Sequence, residues 1–299
     1  MNQDVIRRAH DTAPPGGDAD ALLSAMSRLG SVVVAFSGGV DSAVVLAAAL
    51  RALGPSRTLA ATADSPALAR EELRSARVTA EELGAELTVL ATDELAVPGY
   101  RANAGDRCYF CKQTVLSRVT AVAAARGFRH VATGTHSDDR RSAHRPGLRA
   151  AKELRVVEPL ADAGLGKARV RGVAREWGLP VAEKPGSPCL ASRIAVGVPV
   201  SRERLELVER SEHTVRSYLT ARQVAVRDLR VRILAEAFRV ELDSPSRRWL
   251  DRRPDQADAL LSQVGLVVGM PTGTIASYRA GGVSSTAALS GTTQERPSR

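Results

Sequence analysis

Six consecutive residues, Ser37-Gly38-Gly39-Val40-Asp41-Ser42, combine two hydroxyls, a carboxylate and a pair of glycines. Residues 32–36 before them read as a buried strand, and residues 43–53 after them read as an apolar helix. A turn that delivers the chain into a helix N-terminus is a ready anion site. The first N–H groups lack intrahelical partners, the helix dipole favours negative charge, and glycines let a phosphate approach the backbone. Ser37 and Ser42 add hydroxyl donors, and Asp41 stands where it could hold a Mg²⁺ ion bridging phosphates. No Gly-Lys-Ser/Thr follows, so the pattern is not a Walker P-loop. An ordinary βα turn also uses paired glycines, but it has no need of the whole string.

The other residues with chemistry in their spacing are the three cysteines. Cys108 and Cys111 form a Cys-x-x-Cys, and Cys189 stands alone after two prolines in Lys184-Pro-Gly-Ser-Pro-Cys189-Leu-Ala-Ser-Arg193. Cys-x-x-Cys fits a redox pair, half a zinc site with His136 as a further partner, or cluster ligands. Three thiolates without an obvious fourth protein ligand suit a 4Fe–4S cluster with one open iron; three unrelated cysteines are the plainer alternative. The prolines beside Cys189 restrict its backbone, which suits a residue that must be positioned.

These residues need a frame. Strands at 57–63, 86–91 and 129–134 alternate with helices, and they imply an α/β fold with a doubly wound parallel sheet. In such sheets ligands lie at the carboxyl ends of the strands. Asp64-Ser65 and Gly134-Thr135-His136-Ser137-Asp138-Asp139 fall at two such ends. The spacing predicts helices at 19–29, 71–83, 113–125 and 167–177, and an irregular loop around Asp138 and Arg145. From residue 201 the character shifts to a smaller α+β domain: a helix at 203–221, strands at 224–233 and 237–242, and a short strand at 266–268 after a helix. The expected organisation is therefore a nucleotide domain at 19–195, a second domain at 196–280, and disordered ends at 1–18 and 281–299.

The chain has 299 residues, 44% of them hydrophobic, enough for a proper core. It carries a formal charge of +9 with only 3% aromatics. Lysine stands only at 112, 152, 167 and 184, and the excess of arginine reads as compositional bias. Base-stacking platforms are scarce, so nucleic acid is disfavoured as a partner and an anionic small substrate is favoured. With no long apolar run, no secretory leader and few cysteines, a cytoplasmic protein without a membrane partner is expected.

The 37–42 string resembles the PP-loop of the ATP pyrophosphatases, which cleave ATP between the α- and β-phosphates. Taken with Thr62-Ala-Asp-Ser65, Arg107-Cys-Tyr-Phe-Cys-Lys112, Gly134-Thr135 with Asp138-Asp139, Arg145-Pro-Gly-Leu148 and Pro188-Cys-Leu-Ala-Ser-Arg193, the chain resembles the LarE family from about residue 21 to 281. That family consists of ATP-dependent pyridinium-3,5-biscarboxylic acid mononucleotide sulfurtransferases, which make the precursor of the nickel-pincer cofactor of lactate racemase. The resemblance implies that Ser37, Gly38, Gly39, Asp41, Ser42, Asp64, Ser65, Gly134, Thr135, Asp138 and Arg145 serve ATP. It implies that Arg230, Arg232 and Glu212 meet the substrate phosphate or a metal. In single-cysteine members the residue matching Cys189 gives up its own sulfur. With Cys108 and Cys111 present, the chain resembles the three-cysteine members, in which a 4Fe–4S cluster carries sulfide, fed by a sulfide donor. The resemblance also implies a hexameric ring. Competing classes are a PP-loop tRNA thiolation enzyme, an amidotransferase of NAD- or GMP-synthase type, and a nucleotide-binding regulator.

Overall fold

A computed structural model describes residues 17–141 and 146–279. The chain divides into two compact units, Met1–Glu94 with Cys108–Ser187, and Leu95–Arg107 with Pro188–Arg299. The second unit thus begins ahead of residue 196 and takes in 95–107, a segment that the sequence groups with the first domain.

The first unit is built on four parallel strands, β1 (Val32–Ala35), β2 (Thr58–Asp64), β3 (Leu87–Ala91) and β4 (His130–Ala132), in the order β3-β2-β1-β4. Alternate residues feed opposite faces of the sheet. Val32, Val34 and Ala60 pack on one side with Leu22, Met26 and the small residues of the Val40–Leu53 helix. Val33, Leu59, Ala61 and Leu90 pack on the other with Leu116, Val119 and Ala123 of the Arg107–Ala125 helix. Burial on both faces explains why these strands read as apolar runs without alternation. The chain leaves β1 towards β2 on one side and β4 pairs on its other side, so the order reverses between β1 and β4. Such a switch point opens a crevice beyond the strand ends.

The second unit holds β5 (Leu229–Ile233), β6 (Phe238–Leu242) and β7 (Gly273–Ser277), with β5–β6 antiparallel and β6–β7 parallel. The Arg202–Thr220 helix packs on it through Leu205, Val208, Val215 and Leu219, after a Ser201 cap that accepts from the Arg204 N–H at 3.2 Å. Among the described residues no helix is long and apolar enough to cross a membrane.

Several elements depart from expectation. Residues 266–268 are not a strand but the end of the Pro254–Val268 helix: Leu260, Val264 and Val268 recur every fourth residue on its buried face, and Gly269 ends it at φ 68°. The β-branched valines had suggested a strand. The real strand β7 has a single large apolar residue, Ile275, among small and polar ones, so it carries only a weak apolar signal. It is held by register against β6, where the Phe238 ring lies over Gly273 and leaves no room for a side chain. Gly17 and Asp18, expected to be disordered, open the Gly17–Ser27 helix, and Asp18 accepts from Arg169 Nε at 2.9 Å. Part of the expected loop near 138 is helical, at Ser137–Arg141 and Pro146–Glu153. The remaining end segments expected to be disordered, and Arg145, lie outside the described residues.

Candidate functional site

The 37–42 turn leaves β1 and enters the Val40–Leu53 helix with Gly39 as its N-cap. Its shape is set by its own hydroxyls. The Ser37 N–H donates to Ser42 Oγ (3.2 Å), the Gly39 N–H to Ser37 Oγ (3.4 Å), and Ser42 Oγ to the Gly39 carbonyl (3.1 Å). Gly38 sits at φ 71°, and a Cβ there would lie 2.9 Å from the Ala76 Cα, so only glycine fits. Across the switch point, a Cβ on Gly134 would lie 2.7 Å from the Ser42 nitrogen. The ends of β1 and β4 therefore meet at the N-terminus of one helix. This brings Ser37, Gly38, Gly39, Asp41, Ser42 and Gly134 together.

Two lysines close on this turn. Lys167 Nζ donates to both Asp41 oxygens, at 2.8 and 2.6 Å. Lys184 Nζ donates to the Gly38 carbonyl (3.2 Å), Glu72 Oε2 (2.8 Å) and Ser75 Oγ (2.8 Å). The chain thus ties the turn to the helix Arg70–Glu82. Asp138 accepts from the Lys167 backbone N–H at 2.6 Å and from the Arg141 guanidinium. These two contacts, the backbone one first, hold its carboxyl below the usual carboxylate range. Asp41, Lys167 and Asp138 thus form one chain of contacts. With both oxygens on an ammonium, Asp41 is not an open cation ligand here.

Asp64 and Ser65 lie at the end of the neighbouring strand, and their side chains fix that end. Asp64 pairs with Arg70 at 2.6 Å. Ser65 Oγ donates at 2.7 Å to Glu94, a fully buried carboxylate that also accepts from Thr92 Oγ1 at 2.9 Å. Thr135 is buried, its hydroxyl 3.1 Å from that of Thr133.

Cys108 and Cys111 were expected just ahead of a helix starting at 113. They lie within the first turns of Arg107–Ala125, where a spacing of three puts both on one face. Cys108 is exposed and Cys111 half-buried, and no disulfide joins any of the three cysteines. Gly147 packs against the Lys112 stem and the Cys108 carbonyl, at 3.0 and 3.3 Å from the position of a Cβ.

Cys189 belongs to the second unit, where it caps the short 3₁₀ helix Leu190–Arg193. Its loop is clamped by side chains reaching carbonyls. Arg193, buried, donates to the Cys189 carbonyl (3.0 Å), to the Pro188 carbonyl and to Glu212 Oε1 (2.9 Å). Arg107 Nη1 donates to the Ala191 carbonyl (2.7 Å) and to Asn103 Oδ1 (2.8 Å). Asn103, at φ 51°, donates to the carbonyls of Ala195 (2.8 Å) and Val198 (2.9 Å). Within either unit, no three His, Cys, Asp or Glu side chains among the described residues lie grouped to hold a metal ion.

Arg230 and Arg232 do share the face of β5 opposite the buried Leu229, Val231 and Ile233. Arg232 is engaged, donating to Glu241 (2.6 Å) and to the Ser192 carbonyl (3.1 Å). Burial pushes the Arg230 pKa down, and the nearby Arg193 charge adds to this. Glu212, expected near a metal or substrate phosphate, spends its carboxylate on Arg193 and on the Val231 N–H (3.1 Å). The sequence reading passed over Lys167, Lys184, Glu94 and Asn103 at these two places. For the lysines a signal existed, since lysine is rare in this chain; for Glu94 and Asn103 there was none.

Residues 23–122 match the sequence profile described as NAD synthase. An uncharacterized protein of Synechocystis is 38% identical over 72% of this chain and 77% of its own length. A protein of Lactiplantibacillus plantarum named pyridinium-3,5-bisthiocarboxylic acid mononucleotide synthase is 34% identical over 74% of this chain and 78% of its own length. An NH₃-dependent NAD⁺ synthetase of Chlorobaculum tepidum is 29% identical over 53% of this chain. The last match reaches only part of the chain, whereas the second relative is covered for more than three quarters of its length. With its switch-point turn on a parallel sheet and that extent of identity, the chain belongs to the LarE family of the PP-loop superfamily, that of the pyridinium-3,5-bisthiocarboxylic acid mononucleotide synthase.

Proposed function

We propose that this chain uses ATP to adenylate a carboxylate of pyridinium-3,5-biscarboxylic acid mononucleotide and then replaces a carboxylate oxygen with sulfur. The observation that carries the reading is the 37–42 turn, with its helix N-terminus at the β1/β4 switch point. A carboxylate oxygen attacks the α-phosphorus and pyrophosphate leaves. The acyl adenylate then has AMP as its leaving group, so a thiolate or hydrosulfide can attack the carboxyl carbon. AMP departs with the former carboxylate oxygen, and the sulfur stays on carbon. N–H groups of the turn hold the phosphates, and Mg²⁺ accompanies the nucleotide. Because Asp41 already carries the Lys167 ammonium, no step is assigned to a metal on Asp41.

The substrate phosphate is assigned to Arg230. It shares the face of β5 with Arg232 and donates to the Leu229 carbonyl, and because burial, more than the nearby Arg193, disfavours its charged form, an arriving anion would be stabilising there. Cys189, on its clamped loop, is the residue closest in role to the sulfur. The three thiols fit a 4Fe–4S cluster as a donor set, since all are soft ligands and two share one helical face. When bound, such a cluster supplies hydrosulfide from an open iron. Its product would feed nickel-pincer cofactor assembly for lactate racemase, and the family resemblance adds a homo-oligomer in a reducing cytoplasm.

A second reading has Cys189 donate its own sulfur. Cleavage of its Cβ–S bond, with loss of the Cα proton, leaves dehydroalanine in the chain and thiocarboxylate on the substrate. It is favoured because Cys189 has no other cysteine in its unit. Anaerobic turnover with ATP and the biscarboxylate mononucleotide decides between the two. Pyrophosphate, AMP and thiocarboxylate should appear together. Several turnovers with intact Cys189 support the cluster, while one turnover with loss of H₂S from Cys189 by mass spectrometry supports sacrifice. Pyrophosphate without any thiocarboxylate would sink both.

A further inference from the structure

We infer that Tyr278 is the platform for the pyridinium ring of the mononucleotide, its phenol face stacked on that ring while Arg230 takes the phosphate. The inference rests on the substrate reading above and adds to it a residue of the second unit. Tyr278 directly follows β7, and its N–H donates to the Leu242 carbonyl at 2.8 Å. Leu242 pairs with Leu229 across β5 and β6, so the backbone fixes Tyr278 at the end of the sheet where Arg230 stands. The residue is half-buried, and the Arg230 guanidinium lies 5.4 Å from the ring centroid. Two other pairs in this unit are closed more tightly: Arg222 lies 3.6 Å from the Tyr218 ring and Arg253 lies 4.6 Å from the Trp249 ring. Arg230 is drawn back towards its own strand, donating to the Leu229 carbonyl at 2.6 Å. Its charge therefore stands beside the phenol ring without capping it at contact distance.

The chemistry of the substrate matches this pair. A pyridinium ring is flat, electron-poor and cationic, and the face of a phenol ring carries the negative part of its quadrupole. A guanidinium forks onto phosphate oxygens. The mononucleotide holds its phosphate and its ring one ribose apart, a separation on the scale of that between Arg230 and Tyr278. Stacking also leaves the rim of the pyridinium ring open, and its two carboxylates project from that rim. The two faces of the ring are equivalent, so a half-turn about the bond to the ribose exchanges the carboxylates without loss of stacking. One platform can thus serve both positions of a bisthiocarboxylate product.

The experiment measures binding by calorimetry on wild type, Tyr278→Phe and Tyr278→Leu, with thermal unfolding to confirm that each variant is folded. Mg²⁺ and α,β-methylene-ATP, which cannot be cleaved between its α- and β-phosphates, keep the 37–42 turn filled. The probes are nicotinamide mononucleotide, which carries a pyridinium ring on a ribose phosphate, its uncharged dihydro form, and ribose 5-phosphate. Wild type should prefer the pyridinium to the dihydro form by roughly three- to thirtyfold. Y278L should lose that preference while its affinity for ribose 5-phosphate stays within about twofold, and Y278F should keep it. A preference unchanged in Y278L overturns the inference. So does an equal loss for ribose 5-phosphate, which would mark a residue that merely shapes the surroundings of Arg230, and so does a Y278F as weak as Y278L. Wild type that binds neither mononucleotide nor ribose 5-phosphate defeats the substrate reading and this inference with it, a result distinct from a ring preference missing at an intact phosphate site.

Discussion

The 37–42 turn and the 188–193 loop are both short, polar and rigid, yet they are held by opposite means. The turn is shaped from within: its own two hydroxyls, a glycine at φ 71° and the backbone approach of Gly134 fix it. The cysteine loop is shaped by side chains reaching its carbonyls, its own Arg193, Arg232, and Arg107 from 84 residues away in sequence, while Asn103 holds the carbonyls that follow it. A backbone-built site presents N–H groups to an anion and must not move. A loop hung on side chains leaves the Cys189 side chain unencumbered while its main chain is fixed, which suits a residue whose sulfur is to react.

The largest test of that contrast is Arg193→Met. Its guanidinium is buried against Glu212, so truncation leaves a carboxylate without its counter-ion as well as freeing the Cys189 and Pro188 carbonyls. Breaking such a pair costs about 3–5 kcal/mol. The loss should appear in urea unfolding of the second unit, sulfur transfer should fall with it, and ATP affinity should remain. If the first unit loses ATP binding as well, the two sites are not independently built. The double variant Arg193→Met with Glu212→Leu should regain part of the stability, because no lone charge is then left behind.

Gly134→Ala tests the other side. The new methyl meets the Ser42 nitrogen at 2.7 Å and the Asp41 carbonyl carbon at 2.9 Å, and backbone atoms cannot swing away. Overpacking of this kind costs roughly 1–3 kcal/mol, and the displaced turn should lose ATP affinity while the cysteine loop is untouched. The measurement is the thermal shift given by ATP. Retained affinity would mean that the turn tolerates displacement and is not backbone-built in the sense argued here.

The same contrast decides what could be read from the sequence. The parallel sheet and the turn were legible because their determinants are local: apolar runs, paired glycines and hydroxyls in one hexapeptide. The cysteine loop was legible only as a motif. Its supports come from Asn103 and Arg107, which follow the short Pro98–Ala102 helix. Asparagine in the left-handed region with three loop carbonyls in reach leaves no periodic trace. Glu212, Arg230 and Arg232 were placed on the right elements, yet all three proved to be partners of protein groups first. Spacing tells which face a side chain takes and not which neighbour claims it. The valines at 267 and 268 show the reverse error, where residue type outweighed the four-residue repeat of Leu260, Val264 and Val268.

The smallest expected effect concerns Asp138, which joins the turn to the Lys167–Glu176 helix. Its carboxyl lies below the ordinary 3.8 because the Lys167 N–H and then Arg141 favour the ionised form. A carboxyl depressed by folding contributes stability that is fully present above its unfolded pKa and is lost as pH falls through the folded value. Asp138→Asn should therefore be less stable than wild type by a constant margin from neutral pH down to about 3.8, and the two should converge only in stronger acid. The margin will be small, since the side chain is 44% exposed and solvent screens both contacts. Urea unfolding midpoints measured across that range check it. A margin that already closes between pH 7 and 5 would show that the ionised Asp138 carboxylate, with its Lys167 and Arg141 contacts, does not set it.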